Sequence, residues 1–350
     1  MGVSAVRNGT GHRLAGDSAV VDAANRFLSH LEARQYSPAT VRAYAFDLVN
    51  FGRFLEERRL GLGEVHPTDL FEYLQWQQSP ARRDESQQVV KLARRSVTPT
   101  TMNRRVASVR GLFEHMVIEG TRKDNPVPAA RRSSGWRTRS HGLLGHTGSG
   151  RPPRGGRLVR EPRRLPESLD VADVSAFLAD LDTHRDRAMA LAMVFGGLRA
   201  MEVRSLRLAN IDFGMRRLRV VGKGGKERIV PADDSFFVEC AAYVASERPS
   251  GCATPECFVV LRGPTRGCPL TEAGLRKVFR THRARSGALR VRPHRLRHTY
   301  GTELAAAGID LLVLRELMGH ASPDTTARYV HLSAETLAGE FAAARAELDR

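Results

Sequence analysis

A tyrosine close to the carboxyl end of the sequence could act as a nucleophile. Tyr329 follows His320 by nine positions in the stretch GHASPDTTARYVHL. A tyrosine in such a place could equally pack in a core or lie on the surface. Attack on a phosphodiester would require cations nearby, because a phenol has a pKa of about 10, the pentavalent phosphorus carries added negative charge, and the departing alkoxide needs a proton. If Tyr329 is a nucleophile, other basic residues should accompany it.

Further basic residues have the spacing that such a site requires. In PHRLRHTYGTELAAAG, His294 and Arg297 are three positions apart on a helix that begins at Pro293, so both can reach one phosphate from the same side. Arg199, in FGGLRAMEV, lies at a glycine-preceded helix start, where exposed backbone amides favour an anion. Arginine suits this task because its planar fork binds two phosphate oxygens at once. Lys223 lies at the tip VVGKGGKER, where its ammonium could approach the leaving oxygen.

Metal chemistry and disulfides find little support in the sequence. His294 and His298 have the i,i+4 spacing of a helical metal pair, but the segment lacks the intervening glutamate of the zinc peptidase motif and a nearby third ligand. The four cysteines form no CxxC pair, so neither a zinc site nor disulfides are expected. The basic residues lack neighbouring clusters of Asp and Glu, which disfavours a metal-dependent nuclease. We therefore expect no metal site.

The overall charge indicates a polyanionic partner. The chain has 55 Lys and Arg against 38 Asp and Glu among 350 residues, a net charge of +17. Nucleic acid is the first candidate for such a chain, and an acidic membrane surface is the second. The sequence contains no run of about 18 apolar residues and no apolar signal core near its start, so we expect a cytoplasmic protein that neither crosses a membrane nor is secreted. With 41% hydrophobic residues, the length suffices for two compact domains.

The first part of the chain predicts a flexible start followed by a small helical domain. Residues 1–16 are expected to be flexible, and residues 17–125 contain four amphipathic segments with helix-start signals such as Ser37 before Pro38. These helices carry four arginines that could contact DNA phosphates or form solvated faces. The four are Arg42, Arg104, Arg105 and Arg110.

A long basic linker separates this domain from a second, larger one. Residues 126–165 are rich in Arg, Gly, Pro and Ser and lack an apolar period, which is typical of an interdomain tether. Residues 166–350 predict mainly helices, with one small β-element where the runs RRLRVV and ERIVP flank GKGGK. Lys226 and Arg228 belong to this hairpin and could contact backbone phosphates or decorate a solvent edge.

Four motifs in one order strongly resemble those of the tyrosine recombinases, also called the phage integrase family. These motifs are GGLRAMEV, GKGGKER, PHRLRHTYGTEL and LMGHASPDTTARYVH. The resemblance covers roughly residues 17 to 348 and is closer in the second domain than in the first. It implies a mainly α, DNA breaking-rejoining fold with an N-terminal helical SAM-like core-binding domain and a mostly α catalytic domain that contains a small β-sheet. It also implies site-specific recombination through a 3′-phosphotyrosine intermediate, without metal, ATP or another cofactor.

The resemblance assigns three residues to the scissile phosphate and one to the support of the site. Arg199 and Arg297 would clamp the phosphate, and His320 would donate a hydrogen bond to it. Glu202, in LRAME, matches an acidic position of the family and is expected to orient the structure, not to perform chemistry.

The covalent steps would fall to three other residues. Tyr329 would be the nucleophile, Lys223 would be the general acid for the 5′-hydroxyl leaving group, and His294 would assist proton transfer. Each of these three is ambiguous when taken singly, and the complete set in the right order is what indicates the chemistry.

The resemblance also implies partners. The expected substrate is a double-stranded DNA core site, bound by a homo-oligomer that forms a tetrameric synapse and is nucleoid-associated when on DNA, with accessory proteins as a further class of partner. The last predicted helix, SAETLAGEFAAARAEL, has an apolar stripe that could pack on its own domain, although the resemblance favours a neighbouring subunit. The stripe consists of Leu337, Phe341, Ala344 and Leu348.

Two departures from the family pattern and two competing functions remain. The linker is longer than in many relatives, and the run before Asp17 is too short for the arm-binding domain of the large phage integrases, so we expect recognition of core sites alone. A noncatalytic DNA-binding protein could use the same basic clamp without cleaving. A type IB topoisomerase-like enzyme would share the chemistry but relax DNA without recombining it.

Overall fold

A computed structural model describes residues 2–8, 11–79, 97–128, 158–161, 168–222 and 225–319. The chain divides into two compact units, Met1–Arg163 and Arg164–Arg350, whose described parts are mostly helical with small antiparallel sheets. The predicted mainly α fold class is confirmed. Within the described ranges, no helix combines the length and the hydropathy that a membrane span requires.

The described part of the first unit contains four helices, and two of them show why the sequence starts a helix where it does. The Ser37 hydroxyl accepts a hydrogen bond from the amide of Thr40, and Pro38 occupies the first helical position. Thr98 and Pro99 start the fourth helix in the same way. The helices are α1 (Ala19–Ala33), α2 (Pro38–Arg58), α3 (Pro67–Gln78) and α4 (Pro99–Ile118).

Aromatic side chains from three of these helices form the centre of the first core. Phe51 and Phe54 on α2, Tyr73 on α3 and Phe113 on α4 are fully buried. The rings of Phe51 and Tyr73 meet edge to face with centroids 5.1 Å apart, which is a favourable arrangement for aromatic pairs. This core fixes α2 and α4, the two helices that carry the four arginines singled out above.

An antiparallel hairpin precedes α1, where the sequence predicted a flexible segment. Its strands are β1 (Ser4–Asn8) and β2 (Gly11–Ala15). Val3 and Leu14 are buried against the helices, and the Asn25 side chain bonds both the amide and the carbonyl of Leu14. The expectation of flexibility is therefore wrong for the described part of this segment. The hairpin is held by backbone pairing and by docking on the helices, and it buries few apolar side chains. Its sequence therefore lacks the alternation of apolar and polar residues that predicts a strand.

A short piece of the predicted linker packs on the first unit. Asn103 on α4 donates a hydrogen bond to the carbonyl of Val159 at 2.8 Å and accepts one from its amide at 3.0 Å. The same side chain donates to Glu161 at 2.9 Å. Most of the predicted tether lies outside the described residues, so its proposed flexibility stays a prediction.

The second unit is built around a helix that is buried on nearly all sides. The described elements of this unit are α5 (Val171–Asp180), α6 (His184–Val194), α7 (Ala200–Arg204), a 3₁₀ turn (Leu208–Asn210), β3 (Ile211–Asp212), β4 (Arg217–Val221), β5 (Glu227–Pro231), α8 (Asp234–Ser246), α9 (Glu272–Arg285), α10 (Pro293–Ala306) and α11 (Leu311–Met318). Every side chain of α6 from Ala188 to Val194 is buried, and α8 and α10 pack against it. A helix without a polar face serves as a core element.

The predicted β-element is an antiparallel three-stranded sheet in the order β3, β4, β5. Along β4 the buried residues are Leu218 and Val220, with exposed residues between them. The turn between β4 and β5 is closed by a hydrogen bond of 2.7 Å from the amide of Gly222 to the carbonyl of Lys226. The predicted β-element is therefore present, and Lys223 in its turn lies outside the described residues.

Candidate active site

The structure describes three of the six predicted catalytic residues. Arg199, His294 and Arg297 lie in described segments of the second unit. The other three predictions lie outside the described residues and stay predictions. They are Lys223, His320 and Tyr329.

Arg199 is positioned by a glycine turn that ends α6. Gly197 has φ +62, and a Cβ there would lie 2.4 Å from the ring of Tyr300, so this position requires glycine. The turn places Arg199 at the N-cap of α7, where its amide donates to Glu202 at 2.8 Å and its Nη1 donates to the other carboxylate oxygen at 2.7 Å. Its Nη2 donates to the carbonyl of Gly319 at 2.8 Å. About one third of this side chain is exposed (34%).

Arg297 reaches the same place from α10. The guanidinium is almost fully buried, with Nη1 donating to the carbonyl of Gly197 and Nη2 donating to the carbonyl of Met318. Its Nη1 lies 3.8 Å from a carboxylate oxygen of Glu202. The two predicted phosphate-binding arginines, which are distant in sequence, therefore converge on one carboxylate and on the end of α11.

Glu202 is the centre of this arrangement. Its side chain is completely buried, and it accepts hydrogen bonds from Arg199 and Arg228. Burial alone would raise the pKa of Glu202, but the hydrogen bonds from Arg228 and from the Arg199 amide, together with the charges of both guanidinium groups, lower it to about 2. The carboxylate is ionised at neutral pH and holds the arginines around it.

Arg228 does not lie where the sequence interpretation placed it. We expected a phosphate contact or a solvent edge, but the side chain is buried and pairs with Glu202 through two hydrogen bonds of 2.9 Å each. Its Nε donates to the carbonyl of Leu317 at 2.9 Å. The sequence contained a signal for this position, because the period of two along β5 puts Arg228 on the same face as the buried Val230.

His294 and His298 form a close pair on the exposed side of α10. Their Nε2 atoms are 3.2 Å apart and their ring centroids 4.2 Å apart, so one ring can donate to the other when both are neutral. Among the residues that the structure describes, no group of three or more His, Cys, Asp or Glu is placed to hold a metal ion. His294 faces outward within the helix that carries the buried Arg297.

The α4 arginines of the first unit are bonded within that unit. Arg104 donates to Asp47 at 2.6 Å, and Arg105 donates to Gln77 at 3.1 Å. Arg110 donates to a backbone carbonyl near the end of the described segment at 3.0 Å. These bonds hold the guanidinium groups in place, although half of the Arg104 side chain remains exposed (50%).

The other two residues suggested for DNA contact are exposed. Arg42 lies over the ring of Phe46, 5.7 Å from its centroid, on the solvent side of α2. Lys226 is exposed and directly precedes β5. Both side chains are accessible to a polyanion.

Two family models match the chain. The phage integrase family matches residues 167–336, and the phage integrase N-terminal SAM-like domain matches residues 24–120. A tyrosine recombinase XerC from Myxococcus xanthus is 30% identical over 326 residues, which cover 89% of this chain and 93% of that protein. A tyrosine recombinase XerC from Pelobacter propionicus is 28% identical over 321 residues, covering 89% of this chain and 91% of that protein.

Solved structures of recombinases have a similar fold. The XerH site-specific recombinase, bound to palindromic difH substrate in a post-cleavage complex, aligns with a TM-score of 0.60 and 19% identity, covering 98% of this chain and 92% of that one. The Tn1549 transposon integrase, in complex with circular intermediate DNA, aligns with a TM-score of 0.61 and 17% identity, covering 94% and 99%. At such low identity these structures support the fold alone.

Proposed function

Because the chain belongs to the tyrosine recombinase, or phage integrase, family and is a site-specific DNA recombinase, we propose that Tyr329 is its nucleophile and that Arg199 and Arg297 hold the scissile phosphate. The observation that carries this proposal is the convergence of the two guanidinium groups on Glu202. Two forks aimed at one point can bind the non-bridging oxygens of a single phosphate.

The groups that both arginines contact in the free protein support an anion site. Arg199 and Arg297 donate to the carbonyls of Gly319 and Met318, at the carboxyl end of α11. The last carbonyls of a helix have no partner within the helix and carry a partial negative charge of about half a unit. We propose that a DNA phosphate, which carries a full charge, replaces these carbonyls as the acceptor. Since Arg297 is buried, this exchange would require the end of α11 to shift.

The proposed reaction conserves the energy of the phosphodiester. The phenolic oxygen of Tyr329 attacks phosphorus and passes its proton to a base, the role proposed for His294 below. The bond from phosphorus to the 5′-oxygen breaks, and the 5′-oxygen leaves with a proton from Lys223. The product is a 3′-phosphotyrosine and a free 5′-hydroxyl. A 5′-hydroxyl from a second DNA strand then attacks the phosphotyrosine and releases the tyrosine, so no ATP is consumed.

The remaining predicted residues would serve proton transfer and charge stabilisation. We propose that His294 assists the proton transfers, a role that its exposed position on α10 allows. His320 would donate to the phosphate from the segment that directly follows Gly319. Donors placed where charge develops in the transition state are worth several kcal/mol each, about 2.7–4 for one oxyanion donor.

The substrate and the assembly follow from this proposal. We propose that the enzyme binds double-stranded core sites in the cytoplasm, on the nucleoid, and that four protomers form the synapse in which strands are exchanged. The exposed Arg42 and Lys226 would contact DNA backbone phosphates. The last predicted helix, whose residues lie outside the described ranges, would pack on a neighbouring subunit.

Covalent capture of DNA tests the chemistry. A nicked core-site duplex that loses its 5′-hydroxyl fragment traps the adduct, which a denaturing gel then detects. We expect an adduct in the presence of EDTA and none with Tyr329→Phe. Tyr300→Phe is the matched control, because it keeps the buried ring beside Gly197 and removes only a hydroxyl. An adduct that persists in Tyr329→Phe would assign the chemistry to another residue, and relaxation of supercoiled DNA without strand exchange would favour a topoisomerase-like enzyme.

A further inference from the structure

Arg228 is a buried arginine to which the reaction proposed above gives no role. Its guanidinium uses all three of its nitrogen atoms as donors, with Nη1 and Nη2 on Glu202 and Nε on the carbonyl of Leu317. The Arg228 side chain is 5% exposed and that of Glu202 is 0% exposed. A side chain so enclosed cannot contact DNA without leaving its place.

The guanidinium lies between two glycines that precede predicted catalytic residues. A Cβ on Gly319 would lie 2.9 Å from Nη1 of Arg228, and the backbone there has φ +57, so the left-handed end of α11 packs directly on the guanidinium. A Cβ on Gly222 would lie 3.6 Å from the same nitrogen. In sequence, Lys223 follows Gly222 and His320 follows Gly319.

Stability alone does not account for such a pair. Two charges removed from water lose solvation, and a buried ion pair is often no more stabilising than apolar residues of the same volume. The pair instead fixes the geometry around it. The planar guanidinium fork of Arg228 holds the Glu202 carboxylate in one orientation. The Nε atom of Arg228 holds the end of α11 in place relative to β5. The carboxylate in turn bonds Arg199 and lies 3.8 Å from Arg297.

We infer that Arg228 is a positioning residue that sets the geometry of the phosphate clamp, formed by Arg199 and Arg297, through Glu202 and joins β5 to the end of α11. This inference rests on the proposed function, since it names what orients the two arginines assigned to the phosphate. Without Arg228, the carboxylate of Glu202 loses two donors and is free to turn towards Arg199 and Arg297. Misplacement of reacting groups by about 1 Å can slow a reaction about 100-fold.

The experiment separates cleavage from binding. Single-turnover formation of the covalent adduct is measured with saturating DNA for Arg228→Lys and Arg228→Met, and the Kd for the core site is measured in parallel. We expect adduct formation to slow about 10- to 100-fold with little change in Kd, because lysine keeps the charge but cannot form the fork. Arg217→Met is the matched control, since Arg217 lies on the adjacent strand β4 in an exposed pair with Asp212, and it should cleave at the normal rate.

Two further measurements show whether Arg228 acts through Glu202. The effect of Arg228→Lys should largely vanish in the Glu202→Gln background, because residues that act through one contact are not additive. Methylguanidinium added to Arg228→Ala should restore part of the cleavage rate without changing the Kd. If Arg228→Met fails to fold, Arg228→Lys decides by the same criteria.

Three results would overturn the inference: normal cleavage by Arg228→Lys at saturating DNA, a loss of binding that matches the loss of cleavage, or full additivity with Glu202→Gln. Failure of the unaltered protein to form any adduct would instead contradict the proposed function. The two failures are therefore distinguishable.

Discussion

Asp47 in the first unit and Glu202 in the second are both buried carboxylates paired with arginine, yet their pKa values move in opposite directions. Asp47 accepts from Arg104, whose side chain is half exposed, and from Ser108 at 3.0 Å. Burial raises the pKa of Asp47, and these partners offset the effect only in part. Glu202 also loses solvation, but the fork of Arg228, the amide of Arg199 and the nearby charges lower its pKa to about 2.

The difference shows that the number and burial of the donors decide whether a buried carboxylate stays charged. A half-exposed guanidinium and one neutral hydroxyl leave Asp47 partly uncompensated. Several enclosed donors make Glu202 a fixed anion around which cations are arranged before any substrate arrives, and such preorganisation is what charge stabilisation in catalysis requires. We therefore expect substitutions around Glu202 to alter chemistry and stability strongly, and those around Asp47 to alter them weakly.

The largest effect should come from the phosphate clamp. Arg297→Ala should slow formation of the covalent adduct by about 100- to 1000-fold, because it removes a donor that stabilises charge in the transition state. The Kd for the core site should change little, since the other basic residues of the chain supply most of the nonspecific affinity. Single-turnover cleavage and gel-shift titrations measure the two quantities separately.

Arg285→Ala is a suitable control for Arg297→Ala. Arg285 lies on α9, is half exposed and pairs with Asp180 and Asp182, so its loss removes an equal charge from the same unit without removing a bond to Glu202. It should leave cleavage unchanged. Equal losses of binding and cleavage in Arg297→Ala would show that this arginine mainly binds DNA and would erase the contrast between the two units.

The next largest effect should be on stability. The folded pKa of Glu202, about 2, lies below its ordinary value of 4.5, so the ionised group stabilises the fold fully above about pH 4.5, and this contribution is lost as the pH falls towards 2. The shift corresponds to about 3 kcal/mol. Glu202→Gln should lower the free energy of unfolding by about that amount at neutral pH and flatten its dependence between pH 4.5 and 2. Urea unfolding at several pH values measures this dependence. If the free energy of unfolding falls equally steeply between pH 4.5 and 2 in the unaltered protein and in Glu202→Gln, the assignment is wrong.

Asp47→Asn should have a smaller effect at neutral pH, within about 1 kcal/mol, because the partner Arg104 is half exposed and stays solvated when the pair is lost. The raised folded pKa means that the ionised Asp47 costs stability at neutral pH, and this cost disappears as the pH falls through the folded pKa towards the ordinary value of 3.8. Relative to the variant, the unaltered protein should therefore gain stability on acidification, opposite in sign to Glu202. A large loss in Asp47→Asn at pH 7 would mean that the pair with Arg104 is stronger than its exposure indicates.

Local signals in the sequence were sufficient to predict most of the described helices and the β4–β5 hairpin. Caps such as Ser37 with Pro38 act within a few residues, and so does the alternation along β4. The N-terminal hairpin escaped prediction because its stability depends on docking against α1 and α2. Buried partners such as Val3 and Leu14 become evident only once the helices are in place.

The candidate site was predictable in part. The residue types and their order pointed to Arg199 and Arg297. The contacts of Glu202 with Arg228 and Arg297 join segments 26 or more positions apart, and no local pattern in the sequence specifies such contacts. The surface role predicted for Arg228 rested on its closeness to a lysine-rich tip. The period of two along β5 predicts instead that Arg228 is buried, and this prediction requires no knowledge of its partner.

The smallest effect should come from the exposed arginines of the first unit. Each of them should add to the DNA affinity by its charge, without requiring a precise position. Arg42 is exposed and should neutralise about one phosphate, so Arg42→Ala should reduce the slope of log Kd against log salt by about 0.9 and weaken binding a few-fold near 0.15 M salt. Arg42→Lys should restore the slope, because a point charge suffices for a phosphate contact. Arg104→Ala should change the slope less, since Asp47 already pairs with that guanidinium. Cleavage at saturating DNA should be normal in all three variants, and a cleavage defect in Arg42→Ala that persists at saturation would mean that the first unit also sets the geometry of the reaction.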